Sequence, residues 1–334
     1  MVKVAIIGTG NWGKNLLRNL VELPDADLRY ACDLKPNVRE ALGRRYPGLR
    51  FSADHREVLD DPEVEAVVIA VEEPQHYRIA REALEAGKHA YVEKPMTLTA
   101  AHSERLVAEA KKRGLKLMVG HLLRHHKAVQ YMQEMIAKGE VGDLYYLHLQ
   151  RVNLGIVRQA DNAWWSLAPH DVSLALALFD AMPVSISATG HDYLQSGIED
   201  VVFANLKFAD GRMAHIHVSW LDPHKIRRVT LVGSQRMVVF DDMEAAEKIR
   251  IYDKGADVKR TVLSYVEAIT LRTGDIFIPK VPSGEPLKLE VQHFLDCIQH
   301  DRQPITDGEE GVRVVKVLEA GSQSIHQGGA PVEI

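Results

Sequence analysis

Gly8-Thr9-Gly10-Asn11-Trp12-Gly13 constrains this chain more than any other stretch, because it sets three glycines at GxGxxG spacing between an apolar run and a helical pattern. The run Lys-Val-Ala-Ile-Ile ahead of it, Lys3 to Ile7, suits a strand buried on both faces of a parallel sheet. Leu16, Leu17, Leu20 and Leu23 after it share one helical face, and Pro24 ends the pattern. In such a turn the first glycine allows the bend, the second lets backbone approach a pyrophosphate, and the third lets helix and strand pack closely. The amides and dipole of the helix N-terminus then hold the phosphates. Asp33 stands about 20 residues on, at the end of a second strand, where a carboxylate accepts hydrogen bonds from ribose hydroxyls. Its charge repels a 2′-phosphate, so the expected cofactor is NAD rather than NADP, with Lys35 as a partial counterweight.

The same alternation continues to about residue 120. Strand patterns at Leu28–Cys32, Glu65–Val71, His89–Val92 and Lys116–Val119 are interleaved with helical ones at Val38–Tyr46, Gln75–Glu85 and Ala100–Arg113. That rhythm predicts an α/β chain whose first domain, 1–120, is a doubly wound parallel sheet. Beyond a helix at Lys127–Lys138, hairpin signals take over: Ala-Asp-Gly between Val201–Phe208 and Arg212–Trp220, and Gly-Ser-Gln-Arg between Arg228–Val232 and Met237–Asp241. Helices are expected at Pro169–Leu178, Leu287–His300 and Glu309–Gln327, a hairpin and linker over Met243–Val266, and a mobile loop or subunit arm over Arg272–Pro282. The second domain, 121–334, is therefore expected to be α+β on a largely antiparallel open sheet, with the terminal helix free to pack back on the first. An open sheet needs a cover, so a homodimer or homotetramer through this sheet is expected.

Composition excludes several classes. A net charge of −5 in 334 residues argues against a nucleic-acid partner. Cys32 and Cys297, far apart, offer neither a disulfide framework nor a cysteine zinc site, which suits a reducing, cytoplasmic setting. The first residues lack the pattern of a secretory signal, and no apolar run reaches the roughly 18 residues of a membrane span, so no membrane partner is expected. His121 and His125 have i, i+4 spacing but no evident third ligand, and no metal is expected.

Glu93-Lys94-Pro95 follows the strand at His89–Val92, at the carboxyl edge where doubly wound sheets place ligands. A cis Lys94–Pro95 bond is expected there. With Gly8 to Gly13, Asp33, Pro74 and His76, Ala86 to Pro95, Pro169-His170-Asp171, Val218-Ser219-Trp220, Leu231-Val232-Gly233, Leu287 to Phe294 and Pro304 to Gly308, it makes the whole chain resemble the glucose–fructose oxidoreductase, inositol dehydrogenase and rhizopine catabolism (Gfo/Idh/MocA) family.

The resemblance implies an N-terminal Rossmann domain binding NAD through Gly8, Gly10, Asn11, Trp12, Gly13, Asp33, Val71, Pro74, His76, Glu93 and Lys94. It implies a sugar, cyclitol or sugar-nucleotide substrate between that domain and the second sheet, with Lys94 and His170 catalytic. The chemistry agrees: a histidine titrating near 6.5 can take a hydroxyl proton at neutral pH, and a lysine can stabilise the developing oxyanion. His121, Arg124, Trp165 and Asp171 are the expected substrate contacts; the guanidinium fork of Arg124 suits phosphate or carboxylate.

One position departs from the family pattern. Four residues before the catalytic histidine the family commonly carries aspartate, and this chain has Ser166. The segment Trp164 to Asp171 resembles instead the branch that oxidises the 3-hydroxyl of UDP-linked N-acetylamino sugars. The expected reaction is NAD-dependent oxidation of such a hydroxyl to a 3-keto sugar nucleotide. A free-sugar or cyclitol dehydrogenase such as one for inositol is the alternative, and a nicotinamide-binding regulator without turnover would need no acid–base pair. His215, His217 and Ser219 are expected on one strand face, with Ile216, Val218 and Trp220 on the other.

Overall fold

The computed structural model describes residues 1–155, 157, 161–258 and 269–334. The chain divides into two compact units, Met1–His125 with Gly284–Lys316, and His126–Ser283 with Val317–Ile334. Sequence alone suggested one boundary, at residue 120, with the terminal helix free to pack back on the first domain.

In the first unit the strands are β1 (Val2–Ile7), β2 (Ala26–Cys32), β3 (Arg50–Ser52), β4 (Ala66–Ile69), β5 (His89–Glu93) and β6 (Leu117–Gly120). They form a parallel sheet in the order β3-β2-β1-β4-β5-β6. The order reverses between β1 and β4, and ligands of doubly wound sheets bind at the carboxyl ends of such strands. The connecting helices are α1 (Gly13–Glu22), α2 (Pro36–Arg45), α3 (His55–Asp60), α4 (His76–Glu85) and α5 (Ala100–Arg113). β3 and α3 escaped the sequence reading because each is too short for periodicity to register. Thr99 caps α5 by accepting the His102 amide, and Gly114 ends it at φ 66° after Lys111, Lys112 and Arg113.

The second unit opens with α6 (Lys127–Ala137), β7 (Leu144–Val152) and α7 (Ala163–Phe179). Strands β8 (Pro183–His191), β9 (Val201–Phe208), β10 (Met213–Ser219), β11 (Ile226–Gly233), β12 (Met237–Asp241), β13 (Ile249–Val258) and β14 (Ile269–Phe277) follow. After α8 (Pro286–Gln299) and α9 (Gly308–His326), β15 (Val332–Glu333) joins the sheet, whose order is β14-β13-β12-β11-β7-β10-β9-β8-β15. Its pairs are antiparallel except β7 with β10.

Two expectations need correction. The helix starts at Ala163, not Pro169: the Asn162 side chain accepts the Trp165 amide at 3.0 Å, so the cap lies upstream and the proline sits inside. Arg272–Pro282 is not simply a loop, since Arg272 pairs with Gly255 inside β14 and its Nε donates to Asp253 at 3.1 Å. Of the stretch expected as hairpin and linker, Ile249–Val258 is β13, and residues 259–266 lie outside the described residues.

α8 returns to the first unit. Leu287, Val291, Phe294 and Leu295 enter one apolar core with Leu16, Leu17 and Leu20 of α1 and with Val4, Ile6 and Tyr91 of the sheet. The start of α9 closes on β6: Thr306 accepts the Val119 amide through its carbonyl and donates its hydroxyl to the Val119 carbonyl, each at 2.8 Å. In the second unit the later part of α9 packs on α7, where the Trp164 indole donates to the Leu318 carbonyl at 2.9 Å. Gly321 is required there, because a Cβ would lie 2.5 Å from that indole.

Strand alternation sorts the second sheet's faces. Ala214, Ile216, Val218 and Trp220 are buried; His215 and His217 are half-buried beside Phe203, Met213 and Tyr146, each more than two-fifths exposed. Phe203 stacks on His217 and His148 lies beside His215, with centroids 4.3 and 5.3 Å apart. Ser219 continues the same unbroken register at the end of the strand but is buried, and its hydroxyl accepts the Leu221 amide. No helix among the described residues is long and apolar enough to cross a membrane.

Candidate active site

The glycine turn is built as its spacing requires. Gly8 has φ 90°, and a Cβ there would fall 2.5 Å from the Ala70 carbonyl oxygen. A Cβ on Gly13 would fall 2.0 Å from the Gly8 carbonyl oxygen, so β1 and α1 approach too closely for any side chain. Gly10 differs: its missing Cβ would point into open space with nothing within 4 Å. That is the approach a pyrophosphate needs, and Asn11 and Trp12 beside it are exposed. Asp33, at the end of β2, accepts the Thr9 amide at 2.9 Å and the Thr9 hydroxyl at 3.1 Å on Oδ2, and the Lys35 amide at 2.9 Å on Oδ1. Three donors aim the carboxylate and still leave lone pairs for a diol. An NAD phosphate and ribose therefore fit Gly10 and Asp33.

The edge beyond β5 is more elaborate. Lys94–Pro95 is cis. His76, at the start of α4, is buried, with Nδ1 2.8 Å from the Pro95 carbonyl and Nε2 3.1 Å from the Val71 carbonyl. Burial holds its pKa below the usual histidine value, and the ring bridges the two carbonyls, supplying an N–H to at least one of them. His76 thus supports the Lys94 segment from inside. Val71 follows β4, and Pro74 lies exposed in the 3-10 turn Glu73–Gln75 that leads into α4.

Glu93 faces the opposite side of β5 from Val92 and is buried. Its Oε1 accepts the Trp12 indole N–H at 2.6 Å, and its Oε2 accepts the Lys94 amide at 3.2 Å. Burial pushes its pKa up, while Trp12 and the Lys94 charge pull it back. The glycine turn and the Glu-Lys-Pro edge are thereby joined directly, a contact between residues 81 positions apart.

His121 follows β6 and is buried, and neither ring nitrogen has a hydrogen-bond partner among the described residues. Burial, reinforced by the Arg124 and Lys94 charges, lowers its pKa to about 3, so it stays neutral. Arg124 donates to Glu310 at 2.8 Å, and Glu310 also pairs with Arg313 at 3.2 Å. The cation expected to face an anionic ligand is thus held by a carboxylate from α9.

The remaining expected site residues belong to the second unit. His170 lies in α7, one residue beyond Pro169, and Ser166 is buried one turn before it. Trp165 is half-buried and donates its indole N–H to the Ser322 hydroxyl at 2.9 Å. Asp171 was expected to face substrate, but it is only 1% exposed and both its oxygens are occupied by Arg151 of β7: Nε to Oδ2 at 2.9 Å and Nη2 to Oδ1 at 3.1 Å. Its place on the inward face of α7 gives it this partner.

Arg151, Tyr91, Glu290 and Glu310 went unnoticed in the sequence. For Tyr91 a signal existed, since it precedes Glu93 by two residues and so shares its strand face. The others meet their partners only through tertiary contacts.

A doubly wound sheet with a phosphate-compatible glycine turn, an aimed carboxylate at β2 and a lysine at the β5 edge defines a nicotinamide-type oxidoreductase. Residues 2–121 match the oxidoreductase family with the NAD-binding Rossmann fold, GFO/IDH/MocA, and residues 129–239 match the GFO/IDH/MocA C-terminal domain. The chain belongs to this family. Over 348 residues it is 26% identical to the scyllo-inositol 2-dehydrogenase (NAD(+)) of Bacillus subtilis, covering 100% of this chain and 96% of that one. It is 29% identical over 255 residues to the UDP-N-acetylglucosamine 3-dehydrogenase of Acidithiobacillus ferrooxidans, covering 76% of each. The solved structure of that organism's UDP-N-acetylglucosamine 3-dehydrogenase GnnA superposes with a TM-score of 0.82 at 23% identity, covering 97% of both chains.

Proposed function

We propose that this protein oxidises a secondary hydroxyl of a sugar substrate with NAD, and that the hydroxyl is the 3-hydroxyl of a UDP-linked N-acetylamino sugar, giving the 3-keto sugar nucleotide. The observation that carries the reaction class is the β5 edge, where His76, Trp12 and Glu93 hold the backbone around Lys94 beside the glycine turn. Ser166 in place of an aspartate one turn before His170 supports the sugar-nucleotide branch, as does the likeness to the UDP-N-acetylglucosamine 3-dehydrogenase.

Bound NAD supplies the two-electron acceptor. The chain's own part is the proton: His170 takes it from the hydroxyl, and Lys94 donates a hydrogen bond to the same oxygen as charge develops. Asp33 favours NAD over NADP through its negative charge.

The deciding experiment incubates the protein with NAD or NADP and a panel of UDP-sugars, free sugars and inositols, watching reduced nicotinamide form. Turnover confined to UDP-N-acetylamino sugars supports the proposal; turnover confined to inositols supports the second reading, favoured by the full-length likeness to the scyllo-inositol enzyme. His170→Asn should lose at least about 100-fold in rate while keeping its NAD affinity, and a near-normal rate would remove His170 from the mechanism. The His148, His215, Phe203 and Met213 face supports self-association of the second sheet, and monomeric sedimentation at micromolar concentration would count against it.

A further inference from the structure

Glu290 is the one acidic residue on the buried face of α8, among Leu287, Val291 and Phe294, and it is completely enclosed. Its Oε2 lies 2.9 Å from the Tyr91 hydroxyl, while its Oε1 has no hydrogen-bond partner among the described residues. The same hydroxyl lies 3.2 Å from Glu93 Oε1. Gly120 keeps this corner open, since a Cβ there would sit 2.7 Å from the Tyr91 oxygen and 3.0 Å from Glu93 Oε2.

A phenol carries one proton and can donate to only one of two flanking carboxyl groups. The other contact is a hydrogen bond only if that carboxyl holds a proton of its own. Glu93 accepts from the Trp12 indole and the Lys94 amide as well, so it is the acceptor of the pair. Among the described residues Glu290 has no such donors. A neutral acid also explains the idle Oε1, because burying an unpartnered carbonyl oxygen costs far less than burying an unpaired carboxylate.

We propose that Glu290 is a neutral carboxylic acid that donates its proton to Tyr91, which donates its own to the Glu93 carboxylate, making Glu290 a positioning residue for the Trp12–Glu93–Lys94 edge. Burial, and then repulsion from Glu93, holds the Glu290 pKa well above the carboxylate range. Burial likewise raises that of Tyr91, which keeps its proton. The chain Glu290 to Tyr91 to Glu93 fixes the carboxylate onto which Trp12 and the Lys94 amide are hung. Its effect on cofactor binding rests on the reading that this edge borders the nicotinamide; the location of the proton does not.

Difference infrared spectroscopy of the full chain, without cofactor, tests the proton at mildly alkaline pH. A protonated-carboxyl C=O band is expected in the wild type and in Glu93→Gln, and is expected to vanish in Glu290→Gln. A wild type lacking the band, or a band that survives Glu290→Gln, overturns the proposal. Thermal melts verify that each variant folds. For positioning, Glu290→Ala should weaken NAD binding about tenfold, and Glu290→Gln should restore most of it because an amide N–H replaces the acid O–H. Equal losses in both variants, or none in Glu290→Ala, overturn the positioning role. Wild-type protein that binds neither NAD nor NADP would overturn the cofactor reading instead, with the infrared band still deciding where the proton sits.

Discussion

Arg151 of β7 grips Asp171 of α7 through two hydrogen bonds of 2.9 and 3.1 Å, with side chains only 7% and 1% exposed. Asp171 follows His170 directly, so this pair fixes the helix turn that carries the expected catalytic base. Burial pushes the Asp171 pKa up and the Arg151 charge opposes the shift. Arg151→Met should cost about 3–5 kcal/mol in chemical denaturation, because it strands the carboxylate in the interior. The double variant with Asp171→Leu should recover much of that loss; a double variant as unstable as the single one would argue against stranded charge as the cause.

His121 should shape the acid limb of stability. Its pKa is about 3 in the folded chain and near 6.5 when unfolded, so between these values the unfolded state binds more protons. Its contribution is complete above about pH 6.5 and is lost as pH falls towards 3. His121→Gln should flatten the pH dependence of the unfolding free energy from chemical denaturation in that window, by up to about 1.4 kcal/mol per pH unit. Parallel curves for variant and wild type would contradict the buried, neutral assignment.

The glycines of the turn should separate folding from binding. Gly13→Ala puts a Cβ 2.0 Å from the Gly8 oxygen and should lower the melting temperature clearly. Gly10→Ala meets nothing within 4 Å and should melt like the wild type, while binding NAD at least about tenfold more weakly by blocking the pyrophosphate. Calorimetry and NAD titration on the same samples check both, and normal NAD affinity in Gly10→Ala would move the phosphate site elsewhere.

His76 should matter to rate more than its distance from solvent suggests. His76→Leu removes the ring held between the Pro95 and Val71 carbonyls and leaves at least one of them without its donor, at about 1–3 kcal/mol of stability. Because the Pro95 carbonyl belongs to the Lys94–Pro95 segment, kcat should fall while the KM for NAD changes little. An unaltered kcat would confine His76 to a packing role.

Much of this arrangement could be read locally. The GxGxxG turn, Asp33 and the β5 edge each follow from short-range rules, because a turn's glycines, a strand's period and a carboxylate at a strand end need few neighbours to define them. Hydrophobic periodicity placed α5 to the residue and found most elements of the first sheet. It missed β3 and α3, whose three and six residues carry too little pattern. At α7 it gave Pro169 too much weight as a start signal and Asn162 too little as a cap.

Amino-acid order alone determines the alternating strands and helices, the glycine turn and the identities of Lys94 and His170, since these depend on contacts within a few residues. Tertiary structure decides what those groups are bonded to. Trp12 reaches Glu93, Glu290 returns on α8 to Tyr91, Glu310 takes the fork of Arg124, and Arg151 claims both oxygens of Asp171. Each pairing answers the cost of burying a polar or charged group, and that cost is set by which surfaces meet once distant segments pack together.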